Sequence, residues 1–550
     1  MSQLAMVHRN PAGVTTAAAP AGICLRTYQP GDERAWADIV NATDMGGAYD
    51  VSSTKSSLTQ TTRFDPQGLF FACDAASGRA LATACAYWTY SFGRRRATLH
   101  MVAALPEAAG KGLGALVCQA VLNYFAQHGQ REVILTSDDH RLPAIVTYLR
   151  LGFEPMRFHR GEDHQARWQA VHEKLGAKAG GTLRFAGRGE PVRIGILGLR
   201  RGMHLTPHWR SHPAAQIVQG CDWAEPARQK FLSQHPNATA TAEYQDLLAG
   251  PADALFLANW LPEHASASVQ AMQAGKDVLC EVTGFYCPSE GVELVEAVER
   301  TGRQYMLAEN GLYGASVLEM GYVNVVENKL GAMRYAEGDY VSDWRASMFK
   351  DGQPTWRAHM PPLIYSTHPL GPLLRHGDVR PLRVVGMHTG SAMADTAGGI
   401  DMGSMLVQCS DGAVLRIACG LALNRQPPSS WLCLYGTKGS FETDRWDDRV
   451  HVYDPQRSGA CGPVSYRPDG RDGRPMDEGH VQADARLGEY WIESLANGLA
   501  MPINVYEAAD MTLPGLLGHR SSLKGAQPID VPDFRDPAQR DLWRNDRRIP

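Results

Sequence analysis

The sequence predicts a multidomain α/β protein, on three observations. An apolar strand, Leu99–Ala104, runs into the glycine turn Gly110-Lys-Gly-Leu-Gly114 and then a helical pattern. A second strand and turn, Val192-Arg-Ile-Gly-Ile-Leu-Gly198, repeats that arrangement about 190 residues into the 550-residue chain, so another domain must precede it. Beyond residue 330 the pattern changes to short strand-like runs without long helices between them, which implies a mainly antiparallel sheet. The predicted organisation is a disordered tail (1–22), a first α/β domain (23–175), a Gly-rich linker (176–190), a parallel-sheet nucleotide domain (191–312) and an α+β domain (313–550).

Composition narrows the function class. Basic and acidic residues nearly balance, 54 against 58, which argues against a nucleic-acid or polybasic membrane surface. The longest basic run, Arg94-Arg-Arg96, reads as a solvated turn or as help for a CoA phosphate. The 11 cysteines show no Cys-x-x-Cys pair and lie mostly in apolar runs, as buried reduced thiols do. No apolar run reaches the roughly 18 residues of a membrane span, and the first 22 lack a signal-peptide core. A cytoplasmic protein is expected.

In the first domain, backbone N–H groups and a helix dipole converge at the turn Gly110, Gly112, Gly114, where a pyrophosphate would fit. Further on stands Ala144-Ile-Val-Thr-Tyr148-Leu-Arg-Leu-Gly-Phe153. Together these segments resemble the GCN5-related N-acetyltransferase (GNAT) superfamily over residues 23–175. The resemblance implies acetyl-CoA as co-substrate, held by those three glycines, with Tyr148 protonating the departing thiolate. The family's Gln or Arg at the head of the turn is Ala109 here. Glu107 and Asp139 lie near the motifs as candidate bases, and the sequence selects neither.

In the second half, Gly198 opens a glycine turn in which Arg200 replaces a middle glycine and Gly202 falls one residue short of a third. Asp222, about 20 residues on, suits an adenosine ribose diol and favours NAD over NADP. Later strands end at Asn259 and Glu281, at the carboxyl edge where ligands of such sheets sit. The series resembles the Gfo/Idh/MocA oxidoreductases, implying a Rossmann domain. The family's Glu-Lys-Pro is Glu281-Val-Thr283 here. One branch also lacks that lysine, the NAD-dependent α-N-acetylgalactosaminidases, which this chain resembles at Glu309-Asn310-Gly-Leu-Tyr313, Tyr365-Ser-Thr-His368-Pro-Leu-Gly-Pro372, Gly436-Thr-Lys-Gly439 and Pro502–Ala509. That resemblance implies NAD contacts at Gly198, Arg200, Gly202, Asp222, Asn259, Glu281 and Asn310. Oxidising a ring carbinol acidifies the neighbouring C–H, so such a site needs a group to move the carbinol proton and a second base. Tyr365 and His368 can supply both, with Tyr313 and Glu281 next in order, while His204 and His264 read as structural.

The expectation is therefore a bifunctional enzyme. It unites an acetyl-CoA-dependent N-acetyltransferase with an NAD-dependent oxidoreductase acting on a sugar, amino sugar or cyclitol, by net dehydrogenation or through a transient ketone. The alternative makes one half a degenerate cofactor-binding module. A homo-oligomer assembled through the C-terminal sheet is expected, with no metal.

Overall fold

A computed structural model describes residues 2–549 apart from 16, 44, 46, 62–63, 394–398, 456–461 and 469–479. Three sheets organise it. The first contains β1 (Leu4–His8), β2 (Ile23–Thr27), β3 (Leu69–Asp74), β4 (Ala80–Ser91), β5 (Arg94–Ala104), β6 (Val133–Ser137) and β7 (Glu154–Pro155), in the order β2-β3-β4-β5-β6-β1-β7. β5 and β6 run parallel with only Thr98 and Ile134 in register, so the sheet opens beyond that pair. Met101, at φ 50°, kinks β5 within the opening.

The expected disordered tail is corrected here. Leu-Ala-Met-Val-His of β1 is buried at every position and sits between β6 and β7, antiparallel to both. Its apolar run is too short to stand out against the Ala- and Pro-rich residues that follow, which hid the strand. The linker is also fixed in place. Ala186 is fully buried and Arg188 pairs with Asp253 and Asp277. A Cβ on Gly187 would lie 2.4 Å from the Asn497 backbone.

The second sheet is wholly parallel: β8 (Val192–Leu197), β9 (Ala215–Cys221), β10 (Thr239–Thr241), β11 (Ala254–Leu257), β12 (Asp277–Cys280) and β13 (Tyr305–Leu307), in the order β10-β9-β8-β11-β12-β13. Its strands are near-continuous apolar runs because helices cover both faces. The third sheet has nine strands, extending from Val464–Tyr466 at one edge to Ile529–Asp530 at the other. At its centre Met333–Val341 runs parallel to Val414–Gly420 and antiparallel to Ser429–Gly436. Antiparallel pairing prevails elsewhere in it.

Among the described residues two helices lie between the sheet's edge strands Val464–Tyr466 and Ile529–Asp530 in sequence. The first, His480–Asn497, agrees with a helical pattern that the sequence shows from about residue 483 to 497, whereas the second, Val505–Leu523, is not evident from the sequence. Asn504 caps the second one, accepting from Tyr506 and Glu507 N–H while Glu507 accepts in return from Asn504 N–H. Most of its residues are buried, so it lacks the polar stripe by which a helix is read from sequence. The stretch 457–478, whose Gly, Pro and charged residues read as a surface loop, falls largely outside the described residues; Val464–Tyr466 within it is a strand. Among the described residues no helix is long and apolar enough to cross a membrane.

The basic run Arg94–Arg96 is neither a free turn nor beside the glycine cradle. Arg94 donates to Met501 O at 2.8 Å and Arg96 to Ala500 O at 2.9 Å, which clamps the β4–β5 hairpin to the second half. At the hairpin's tip, Gly93 O accepts from Arg375 at 2.9 Å. A small apolar cluster, Ala5, Val7, Phe92, Ile134, Met156, Ala186 and Leu499, seals the same seam.

Candidate active sites

Two sites can be built from their residues. In the first domain, Gly112 takes a left-handed conformation (φ 74°) as the cap of the helix Leu113–Gln127, with no side-chain capping bond. The first-turn N–H groups of that helix therefore face outward, the arrangement that receives an anion. A Cβ on Gly110, Gly112 or Gly114 would meet nothing within 4 Å, so the cradle is open. Acetyl-CoA's pyrophosphate fits such a cradle, with the gap between β5 and β6 adjoining it. Tyr148 lies on the helix Leu142–Arg150, buried, its ring 5.9 Å from Phe153. Burial first, and the neighbouring Cys118 second, raise its pKa, so the phenol stays protonated. Neither candidate base is free: Glu107 pairs with Arg79 at 2.6 Å and Asp139 with Arg167 at 2.5 Å.

In the second half, β8 ends at Gly198, φ 86°, where a Cβ would stand 2.3 Å from Ala258 O. Only glycine fits there. Gly202 opens the helix Gly202–Trp209, and a Cβ on it would lie 2.5 Å from the Ile196 side chain. It thus does the close helix–strand packing of a third glycine despite its shifted position. Arg200 is exposed. Asp222 stands just past β9 as expected, yet its carboxylate accepts from Leu199 N–H and Ala224 N–H, both at 2.9 Å, and tightens the turn. Asn259 Oδ1 is buried beside that turn with no hydrogen bond among the described residues, as a group kept for a ligand would be. A dinucleotide suits this donor set.

At the carboxyl edge of the parallel sheet lies a charged network that sequence reasoning missed. Arg201 donates to Glu281 at 2.7 Å and to both oxygens of Asp484 at 2.9 and 3.1 Å. Asn310 donates to Asp484 at 2.8 Å. Glu281 is therefore no free base: the guanidinium holds it, and Arg201 brings a cation to the strand end that lacks the expected lysine. Asp484 could not have been found from spacing, because it lies 283 residues from Arg201.

Beyond that network, His368 is the second residue of the helix Thr367–Gly377, and Tyr365 ends the tight turn before it. Their rings meet edge to face at 4.9 Å, with Tyr340 5.0 Å from His368. His368 Nδ1 lies 2.5 Å from Oε1 of Glu309, which also accepts from Gly311 N–H at 2.8 Å. Glu309 is fully buried. Burial alone would lower the His368 pKa; the Glu309 carboxylate outweighs it, and the net shift is upward. Burial, then Tyr340, Glu281 and Glu309, raise Tyr365 well above an ordinary phenol. His368 and Tyr365 are mostly buried but not sealed off, with 10% of the His368 side chain still exposed, so a narrow opening leads to them.

Glu309 stands within the Glu309–Tyr313 motif, but nothing local in the sequence points it at a histidine 59 residues away. Tyr313 is a correction. It is fully buried against Tyr490, its hydroxyl 3.5 Å from Gly93 O, so it packs the seam and does not join the His368 cluster. His264 is buried and bridges Thr283 O and Asn259 O, while His204 is exposed.

Comparison with known proteins agrees with both halves. Residues 36–153 match the acetyltransferase (GNAT) family, and residues 192–309 match the Gfo/Idh/MocA oxidoreductase family with its NAD-binding Rossmann fold. A glycosyl hydrolase family 109 protein from Saccharopolyspora erythraea is 26% identical over 388 residues, covering 63% of this chain and 83% of that protein. A mycothiol acetyltransferase from Pseudarthrobacter chlorophenolicus is 34% identical over 151 residues, 26% of this chain and 46% of that protein. In fold, a levoglucosan dehydrogenase solved with NADH and levoglucosan superposes with a TM-score of 0.56 at 15% identity, covering 62% of this chain and all of that one. The chain joins a GNAT acetyltransferase domain to a Gfo/Idh/MocA oxidoreductase domain with an NAD-binding Rossmann fold.

Proposed function

We propose that the protein is a bifunctional enzyme: an acetyl-CoA-dependent N-acetyltransferase fused to an NAD-dependent enzyme acting on a sugar, amino sugar or cyclitol. The observation that carries the second activity is the Glu309–His368 pair beside Tyr365, beyond the carboxyl edge of the parallel sheet. Gly198, Gly202 and Asn259 would hold NAD, which would supply the hydride acceptor for oxidation of a ring carbinol. His368 Nε2, the nitrogen not held by Glu309, takes the carbinol proton, and the Glu309 carboxylate stabilises the imidazolium that results. Tyr365, held protonated, is placed to return a proton to an oxygen.

The pair suffices for net dehydrogenation; the transient route needs in addition a base for the C–H beside the ketone. The family 109 relative favours the transient route, in which the proton on the carbon next to the ketone is removed and then either returned with inversion or followed by loss of the leaving group from the carbon beyond it. Asp222 favours NAD over NADP. In the first domain Tyr148 would protonate the thiolate of CoA. The exposed side chains of Leu382, Met387 and Leu406 on the third sheet support self-association through that sheet.

The test is native mass spectrometry of the purified protein for retained NAD(H), followed by assay against N-acetylhexosamines and their glycosides with NADH absorbance recorded. Redox-neutral product formation, slowed about 10²-fold or more by His368→Ala, is expected. An unslowed His368→Ala enzyme would refute the assignment.

A further inference from the structure

One pair of cysteines stands apart from the others. Of the ten among the described residues, nine are buried and Cys24 is exposed. It lies on β2, the edge strand of the first sheet, directly opposite Cys73 on β3. Side chains of directly opposed antiparallel residues share a face of the sheet. Cys73 is fully buried, so one thiol of the pair meets solvent and the other is shielded.

Backbone bonding fixes the spacing of the two. Ala75 N–H donates to Gly22 O and Tyr28 N–H to Leu69 O, both at 2.8 Å. With the alternation of an antiparallel ladder, those two bonds make Cys24–Cys73 a hydrogen-bonded pair as well. Such pairs hold their Cα atoms about 5.5 Å apart, inside the roughly 4.4–6.8 Å that a disulfide spans. Their Cβ atoms stand about 4.5–5.5 Å apart, a little wider than the roughly 3.5–4.5 Å of a relaxed bridge. A bond between the sulfurs can therefore form without a change of register, under some strain that makes it easy to reduce.

The neighbouring charge suits the exchange. Arg26, two residues beyond Cys24, stands over the Phe71 ring at 5.2 Å and is held by Asp32 at 2.6 and 2.9 Å. Burial raises the pKa of the Cys73 thiol, and the Arg26 guanidinium opposes that rise without cancelling it. Cys73 thus stays protonated and hidden from solutes. It remains able to react with a sulfur held beside it, because proximity replaces collision.

We propose that Cys24 and Cys73 form a reversible redox couple on the acetyltransferase domain, oxidised by small disulfides of the glutathione type. The Cys24 thiolate attacks one sulfur of the small disulfide RS–SR, forming Cys24–S–SR and releasing RS⁻. Cys73 gives up its proton and attacks the Cys24 sulfur, forming the Cys24–Cys73 bond and releasing the second RS⁻. Two electrons pass from the protein to the small disulfide, and the two thiol protons end on the released RSH molecules. The bridge ties the edge strand to β3 and spares Cys24 further oxidation.

The experiment exposes the full chain to glutathione disulfide, quenches with acid, alkylates the remaining thiols in denaturant and maps the peptides by mass spectrometry. The wild type should yield a Cys24–Cys73 cross-linked peptide lacking both thiol hydrogens, with no glutathione retained and full reversal by dithiothreitol. Cys73→Ser should stop the exchange halfway, with glutathione left on Cys24, and Cys24→Ser should leave Cys73 open to alkylation. The proposal is overturned if the wild type keeps glutathione on Cys24 without a bridge, if neither cysteine reacts, or if Cys73 is oxidised as fast in Cys24→Ser as in the wild type. The first two results come from the wild type alone and stand even if Cys73→Ser fails to fold.

Discussion

Replacing Glu309 by Gln separates charge from shape at the centre of the second site. The amide is nearly isosteric and can still accept from Gly311 N–H, so the turn should hold. What disappears is the carboxylate 2.5 Å from His368, the largest influence raising that imidazole's pKa, and burial, which lowers it, is then opposed only by the weaker influence of Glu281. Unit charges about 4 Å apart at a typical effective dielectric attract by about 4 kcal/mol, and about 1.4 kcal/mol corresponds to one pH unit of midpoint. The His368 midpoint should therefore fall by at least about one pH unit. NMR titration of labelled histidine reads this without any substrate.

The sign of the stability effect follows. A raised folded pKa contributes stability fully present below the unfolded value, about 6.5, and lost as pH rises through the folded one. Urea unfolding should thus show a wider gap between wild type and Glu309→Gln near pH 5 than near pH 9, and kcat should drop about 10²-fold or more with NAD affinity unchanged. An unmoved His368 midpoint, or a gap that widens toward high pH, would refute the pairing.

Three further outcomes are expected. Gly198→Ala drives a methyl into Ala258 O and should lower stability by about 1–3 kcal/mol and abolish NAD binding, read by melting temperature and calorimetry. Gly112→Asp meets no neighbouring atom but must adopt φ 74°, so it should lower stability by only about 1–2 kcal/mol while acetyl-CoA binding vanishes through like-charge repulsion of the pyrophosphate. Leu499→Ala empties a fully buried position in the seam cluster and should destabilise the protein by about 2–5 kcal/mol in urea unfolding; under about 0.5, the value usual for surface changes, would mean that the halves do not lean on each other.

What the sequence revealed was local. The two glycine turns, the apolar runs of the parallel sheet and the strands after residue 330 each announce themselves within a dozen residues. What stayed hidden was long-range. Asp484, Arg201 and Glu309 acquire their roles only when distant segments meet, and a charged residue in a helix or turn looks the same whether it is solvated or buried in a network. Tyr313 misled for the complementary reason: proximity in sequence to a site motif does not fix which way a ring points. Val505–Leu523 escaped because a helix buried on nearly every side carries no polar stripe.

The position of β1 bears on how the protein is made. The strand emerges early, yet its partner β6 comes about 130 residues later and β7 later still. At roughly 5–20 residues per second of synthesis, this mostly apolar strand waits on the order of ten seconds with no neighbour. An unpaired apolar strand is a template for wrong pairing, so the nascent chain is at its most aggregation-prone before its first domain closes. Lengthening the interval between β1 and β6, as slow codons would do, should lower the yield of folded protein without altering the molecule that results.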